Sequence, residues 1–384
     1  MPTMTLSQTC VMAILQAIAV IIFIFIVVPV TTFAERKVLG YIQDRLGATR
    51  LAGHRIGLTG WLNRGMWKMG KLPFLSILRG LPIFVGDIIK LLVKEDIVPT
   101  KADRAIFRIA PTISMIASMV VFAAISFYPG ALFTFPKAFP IVGGLPFTGF
   151  IADLNVGLLF ILGVASVGVY GIVLGAWSSN SKYPLLGGLR SAAQIVSYEV
   201  PMTLSLMVPV VLAGSLNFNQ MTRMTATQMP IWAVPLLAAG FLVYLTCGFA
   251  ETNRLPFDMP EAENELVAGF HTEYAGMRFG LYYLAEYINM IVVAALASAF
   301  FLGGPYLLPF GLHSFIKDLP LIGGPNVIWF LLKIFFLLFT FIWVRGTIPR
   351  YRYDQIMAVA WKYLIPLTLV ELVVAAIIRF QFVA

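Results

Sequence analysis

Apolar residues gather in eight long runs, at roughly 12–33, 106–128, 155–177, 197–215, 231–250, 282–303, 327–345 and 358–378. Each is close to the ~20 residues that a helix needs to cross a bilayer. The runs do not alternate apolar with polar positions, as the strands of a membrane barrel would. The pattern therefore predicts helices, whose backbone groups satisfy one another inside the hydrocarbon. Pro201, Pro209, Pro235 and Gly240 fall inside the runs, and membrane helices tolerate both residue types. No internal repeat, parallel or inverted, is evident. No basic segment precedes the first run, which reads as a retained span and not a cleaved leader.

Between the runs, the cations are unevenly placed. Segment 34–104 holds thirteen of the 27 Lys and Arg residues. The connections after runs three, five and seven add Lys182, Arg190, Arg254, Arg278, Arg345, Arg350 and Arg352. The opposite side carries only Lys137, Arg223, Lys317 and Arg379. Basic loops stay on the cytoplasmic side, which puts both termini outside. The outer connections, such as Tyr128–Leu145 and Gly303–Pro325, are apolar and rich in Gly and Pro. They read as passive links or contact surfaces. The expectation is an all-α integral membrane protein: one domain over 1–384, with eight transmembrane helices and amphipathic or irregular inner loops. A basic loop spans 34–104 and an acidic one 250–279.

Composition narrows the chemistry. Hydrophobic residues make up 59% of the chain and charged residues 12%; mean hydropathy is +0.88. The two cysteines, Cys10 and Cys247, lie in apolar surroundings and outside any CxxC pair, which argues against an iron–sulfur or zinc site. Three scattered histidines argue against a heme pair or metal centre. No Gly-rich nucleotide loop is present, and no Ser–His–Asp or Cys–His set suggests hydrolysis.

Five charged constellations remain. Glu35-Arg36-Lys37, followed by Gly40-Tyr41 and Arg45, sits at the inner end of the first run, where snorkelling cations commonly anchor a helix. Arg190, Gln194 and Tyr198 are four apart and share one helical stripe. Glu199 takes another face and enters the fourth run, where a carboxylate needs a partner, a wet cavity or a place among the headgroups. Segment 250–279 sets six acids, Glu251, Asp258, Glu261, Glu263, Glu265 and Glu273, against Arg254 and Arg278. A solvated charge run is one reading. The other is a proton path: Pro256 and Pro260 exclude a plain helix, and crowded carboxylates raise one another's pKa values and share protons. Glu286 opens the sixth run among Leu, Ala and Tyr, as a snorkelling end residue or a functional carboxylate. Arg345, Arg350, Arg352 and Asp354 interleave with Trp343, Tyr351, Tyr353 and Trp361, which suits lipid headgroups or a docked partner. Lys333 lies within the seventh run without a local partner. Glu371 and Arg379, on one stripe of the last run but too distant to pair, read as depth markers near the outer face.

Several segments together resemble the family of H-type membrane subunits of bacterial NADH–quinone oxidoreductase, whose mitochondrial counterpart is NADH dehydrogenase subunit 1 of complex I. They are ERKVLGYIQDRLG (35–47), DIIKLLVKEDIVP (87–99), RSAAQIVSYEV (190–200), ETNRLPFDMPEAENELVAGFHTEYAGMRFGLYYLAEY (251–287) and WVRGTIPRYRYDQIMAVAWK (343–362). The resemblance runs from Glu35 to about Pro366, and its longest motif is the acidic segment. It implies an eight-helix subunit at the heel of the complex, in a bacterial inner membrane or the mitochondrial inner membrane. Glu35, Arg36, Arg45, Arg190, Arg254 and Asp258 would line a quinone chamber and its entrance. Asp87, Glu199, Glu251, Glu261, Glu263, Glu265, Glu273 and Glu286 would carry the path that couples quinone reduction to proton pumping. Arg345, Arg350, Arg352 and Asp354 would face the peripheral arm.

The substrate so implied is a quinone, ubiquinone or menaquinone. FMN and the iron–sulfur clusters would sit in partner subunits, and this chain would hold neither a metal nor a complete active site. The implied partners are the peripheral-arm quinone-site subunits, small membrane subunits next to the antiporter-like ones, and lipids, with no nucleic acid. Two departures stand out. Gly47 is followed by Ala48-Thr49 where the family usually has Gly-Pro-Asn. The segment at about 51–86 is longer than usual, which suits a basic surface helix or a contact for an extra subunit. Other readings are the equivalent subunit of a hydrogenase or of a dehydrogenase with another donor, a stand-alone proton-coupled transporter, and a plain anchor. An anchor would need no carboxylates beside its spans.

Overall fold

The computed structural model describes residues 6–45, 47, 83–136, 144–261, 263–309 and 324–382. Eight helical stretches among them are long and apolar enough to cross a membrane: Ser7–Ile42, Arg104–Ala123, Gly157–Ser178, Lys182–Ala213, Val234–Glu251, Gly276–Phe301, Val327–Thr347 and Tyr353–Gln381. The chain is thus a multi-pass helical membrane protein. In chain order the helices are α1 (Leu6–Ile42), α2 (Ile83–Val93), α3 (Arg104–Val120), α4 (Gly157–Ser178), α5 (Lys182–Ala213), α6 (Phe218–Thr227), α7 (Val234–Glu251), the single turn α8 (Glu263–Leu266), α9 (Gly276–Phe301), α10 (Val327–Thr347), α11 (Tyr353–Ala358) and α12 (Ile365–Phe382). A π-helical stretch, Val359–Leu364, joins α11 to α12 into one span.

Two spans are longer than their apolar runs. The 37 residues of α1 reach about 55 Å at 1.5 Å per residue, well past a hydrocarbon core of about 30 Å. The extra length carries Glu35 and Arg36. Helix α5 starts at Lys182 and not near 197, so Arg190, Gln194 and Tyr198 all lie on it. Hydropathy understates both helices because their polar side chains are turned into the protein: Glu35, Gln194 and Tyr198 are buried. Helix α5 ends on Gly214, whose φ of 76° suits a left-handed cap, with its N–H bonded to Val210 O at 2.7 Å.

Helix α9 is the hub. It packs on α1, α3, α7 and α10 and is the most buried span. Small residues let helices approach closely, as membrane packing requires. A Cβ on Gly171 of α4 would stand 2.8 Å from Ala110 O of α3, and one on Gly248 of α7 would press on Val293 of α9.

The far end, opposite Glu35 and Glu251, holds more structure than its sequence implied. Ala131–Thr134 and Pro146–Thr148 form an antiparallel hairpin, β1–β2, with Phe133 and Phe147 stacked across it. Helix α6 was not apparent either. Lys333 has partners: its ammonium donates to the carbonyls of Leu302, Gly304 and Tyr306, just past the C-terminus of α9, where the helix dipole favours a cation. Arg379 donates to Val211 O of α5 at 2.6 Å.

Candidate functional site

At the charged end, side chains from five stretches of the chain converge on one buried cluster. Arg254, four residues past Ala250 in the irregular stretch after α7, is its centre and is 5% exposed. Its Nη1 donates to Glu35 Oε1 of α1 at 3.1 Å, and its Nε lies 2.5 Å from Glu286 Oε1 of α9. The guanidinium also stacks over the Tyr287 ring, 4.4 Å from the centroid. Glu35 accepts a 2.6 Å hydrogen bond from the Tyr287 hydroxyl and is ion-paired with Arg345 of α10. Since Tyr287 has one proton to give, the neighbouring Tyr283 hydroxyl donates to it, at 3.0 Å. Asp258 adds an ion pair with Arg350 at 3.2 Å.

The loop that holds Arg254 is pinned from α5. Gln194 Nε2 donates to Ala250 O and Phe257 O, both at 2.8 Å, and the Tyr198 hydroxyl donates to Ile356 O at 2.8 Å. Asn253, at φ 50°, turns the chain, and asparagine is among the residues that tolerate this left-handed region. A Cβ on Gly187 of α5 would stand 2.7 Å from Phe270 N, so the glycine lets the far part of the loop lie directly on that helix.

Beside the cluster lies a cavity of about 250 Å³. Four carboxylates line it: Glu199 of α5, Glu251 at the end of α7, Glu261 and Glu286. Arg345, His271, Tyr282, Tyr283, Asn289 and Ser166 are among the other polar residues of its wall. Glu251 Oε2 is buried without a hydrogen-bond partner among the described residues, as is Asp258 Oδ1.

Electrostatics in the loop follow from this burial. For Arg254, desolvation pulls the pKa down, but Glu286, Tyr287 and Glu35 outweigh it and hold the guanidinium charged. Burial raises the Asp258 carboxyl above its ordinary range, against the pull of Arg350. Glu261 is pushed well above the usual glutamate value, by burial first and then by Glu286 and Asp258. Burial lowers His271 to about 4. His271 Nδ1 stands 3.6 Å from Glu261 Oε1, so an imidazole that resists protonation meets a carboxyl that holds its proton more tightly than usual. The carboxylates and histidine together form a polar, titratable surface inside otherwise apolar walls.

The structure places the predicted residues unequally. It brings Glu35, Arg254, Asp258, Glu286, Arg345 and Arg350 into the cluster, and Glu199, Glu251 and Glu261 to the cavity. Arg345 and Arg350 face carboxylates of this chain; Arg352 and Asp354 pair with each other in the open, at 81% and 70% exposure. Arg190 and Glu265 pair at 2.7 Å on the rim. Arg36 reaches Asp87 of α2 at 2.7 Å, tying that surface helix to α1. Arg45 is exposed beyond α1, and Glu273 is half-buried. The Glu263 side chain lies outside the described residues, as does most of the 51–86 segment. Sequence reasoning missed Tyr283, Tyr287 and His271. The four-residue spacing of the two tyrosines, on the same first turns of α9 as Glu286, was the available signal.

A polytopic helical protein that gathers a buried arginine–carboxylate cluster and a carboxylate-lined cavity at one end is built to handle charge within a membrane, a class that includes proton-coupled subunits of larger assemblies. Comparison places it within that class. The NADH dehydrogenase family model matches residues 15–376, and the chain belongs to that family. Over 365 residues it is 44% identical to an H-type subunit of NADH-quinone oxidoreductase, numbered 1, from Geobacter metallireducens, covering 94% of both chains. It is 40% identical to the H-type subunit numbered 2 of the same enzyme from Koribacter versatilis over 375 residues, 95% of this chain and 96% of the relative. A second such subunit from Geobacter metallireducens, numbered 2, is 40% identical over 376 residues, 95% and 94% of the two chains.

Proposed function

We propose that the chain is the H-type membrane subunit of a proton-translocating NADH:quinone oxidoreductase, and that its charged end forms the membrane side of the quinone chamber and the start of the proton path. The observation that carries this reading is the contact between the two sites through Glu286, which pairs with Arg254 in the cluster and lines the cavity with Glu199, Glu251 and Glu261. A quinone would enter from the lipid beside α1 and α2, past Glu35, Arg36, Arg45 and Asp87. Reduction of its headgroup takes up protons and alters local charge. A cluster whose carboxylates are buried and crowded answers by redistributing protons among Glu261, Glu286, Glu251 and Glu199. Glu263, Glu265 and Glu273 would extend that acidic set on the loop. Arg190 and Asp258 hold the chamber wall, while Arg345, Arg350, Arg352 and Asp354 carry the face toward the peripheral arm.

In this reading electrons arrive from FMN and iron–sulfur clusters in partner subunits, and ubiquinone or menaquinone is the acceptor. The neighbours are the peripheral-arm quinone-site subunits and the small membrane subunits. The basic loops face the cytoplasm, both termini the outside, and the membrane is the bacterial inner membrane.

Replacing Glu251 with Gln keeps the side chain's size and removes its charge. In the assembled complex, quinone-linked NADH oxidation then falls by about a hundredfold or more, the scale of losing a positioned proton-transfer group. NADH oxidation by an artificial acceptor at the flavin is retained. Loss of both activities together in an assembled complex, or of neither, overturns the assignment.

A further inference from the structure

A second buried carboxylate lies far from the acidic cavity. Glu371, on α12, is 4% exposed, and both carboxylate oxygens are buried without a hydrogen-bond partner. It has no ion pair among the described residues. The nearest cation on its own helix, Arg379, is two turns further on and donates to Val211 O. On α7, the titratable groups toward the charged end are Tyr244, whose hydroxyl donates to Val293 O, buried Cys247 and, at the helix end, Glu251.

What Glu371 faces is a small polar gap. Gly240 of α7 has no side chain, and a Cβ built there would lie 3.6 Å from Glu371 Oε2, 3.8 Å from Ser205 O of α5 and 3.4 Å from the Phe301 ring of α9. Ser205 O is an unusual acceptor. Proline at 209 has no N–H to give it, so the normal i to i−4 helical bond is missing. Two oxygen acceptors thus look onto one gap, and neither can donate unless a proton is supplied. An ionised carboxylate without a cation or a donor is too costly at this depth, and such groups take up a proton instead.

We propose that Glu371, Ser205 O and the gap over Gly240 form a separate proton-holding site, in which Glu371 is protonated at rest and its proton exchanges with water. Along α7, Gly240 lies eleven residues from Glu251, roughly 16 Å at the helical rise. The site therefore stands in the opposite half of the span from the acidic cavity.

The test uses the intact complex in its membrane. Infrared spectra of the wild type should contain a protonated-carboxyl carbonyl band that shifts in D₂O and is absent from Glu371→Gln, which matches the neutral acid in shape. Gly240→Ala fills the gap and should move that band without removing it. A hydrophobic carbodiimide, which reacts only with protonated carboxyl groups, should label Glu371 in the wild type, read by peptide mass spectrometry. This measurement stands even where Glu371→Gln fails to assemble. The proposal is overturned by an unchanged carboxyl region in an assembled Glu371→Gln complex, by a band that does not shift in D₂O, by an ionised-carboxylate band at Glu371, whether or not it depends on sodium, or by no carbodiimide adduct on Glu371 at any pH. None of these readouts requires quinone-linked turnover, so failure here is separate from failure of the assigned function.

Discussion

Arg254→Gln is the most informative single perturbation of the cluster. The guanidinium it removes is 5% exposed, pairs with Glu35 at 3.1 Å and Glu286 at 2.5 Å, and covers the Tyr287 ring. Without it Glu286 loses its ion pair, and Glu35 keeps only Arg345 and the Tyr287 hydroxyl. Removing one member of a buried pair leaves an uncompensated charge and costs about 3–5 kcal/mol. An exposed pair such as Arg352–Asp354 gives the contrast, with Arg352→Ala costing under about 0.5 kcal/mol. The assay is the thermal midpoint of the detergent-solubilised complex, followed with its abundance on native gels. Because a multi-subunit assembly does not unfold in two states, the decisive quantity is a difference within a double-mutant cycle. Arg254→Gln should lower the midpoint far more in the wild-type background than in Glu35→Gln, where one of the stranded charges is already gone. Equal shifts in both backgrounds, or a shift no larger than that of Arg352→Ala, would refute the view that Arg254 neutralises this cluster.

Three further outcomes follow from the same geometry. Glu261 holds its proton well above the usual carboxylate range, so its contribution to stability is complete below its unfolded value and is lost as pH rises through the folded one; Glu261→Gln should flatten the alkaline fall of the thermal midpoint. His271 runs the other way: its pKa is lowered to about 4 from 6.5, so the stability of the neutral form is present above 6.5 and is lost as pH falls toward 4, and His271→Asn should flatten the acid side. Gly187→Ala would drive a methyl into the backbone at Phe270 N, 2.7 Å away, at a cost of about 1–3 kcal/mol; protease digestion should then cut the 252–275 loop faster, and an unchanged digestion rate would count against the tight packing of that loop on α5.

The spans were legible because they rest on a one-dimensional property: a run of apolar residues long enough to bury its own backbone. Their ends were less so. Glu35 read as a boundary residue because a charge normally marks the interface, yet it is buried against Arg254, more than two hundred residues later in the chain. No local pattern encodes that meeting; it arises when α1, α9 and α10 pack side by side. The acidic loop was recognisable by its crowding and its prolines, but the choice between a solvated run and an internal one depended on Gln194 and Tyr198, which anchor it and its neighbours from α5. Lys333 and Arg379 could not be given partners from the sequence for a related reason. Their partners are backbone carbonyls near helix ends, and those acceptors leave no trace in side-chain sequence.

The first turns of α9 are where the two sites become one device. Tyr282, Tyr283, Glu286 and Asn289 line the cavity, while Glu286 and Tyr287 also hold Arg254 and Glu35. The cluster and the adjoining Glu261 set three guanidinium groups, Arg254, Arg345 and Arg350, against four carboxyl groups, Glu35, Asp258, Glu261 and Glu286. Full ionisation would leave an excess anion; burial first, and then the nearby Glu286 and Asp258, raise the Glu261 pKa and so favour its protonated form. Under the proposed function, a charge change on the chamber side would be met by proton movement within the same set, since the arginines cannot release theirs. Glu286, like Arg345, has contacts on both sides, and unlike Arg345 it can change charge, so neutralising it weakens its hold on Arg254 and changes the charge lining the cavity in the same step. Coupling here needs no distant relay and no large motion: one carboxyl group belongs to two electrostatic neighbourhoods, and each feels the protonation state set by the other.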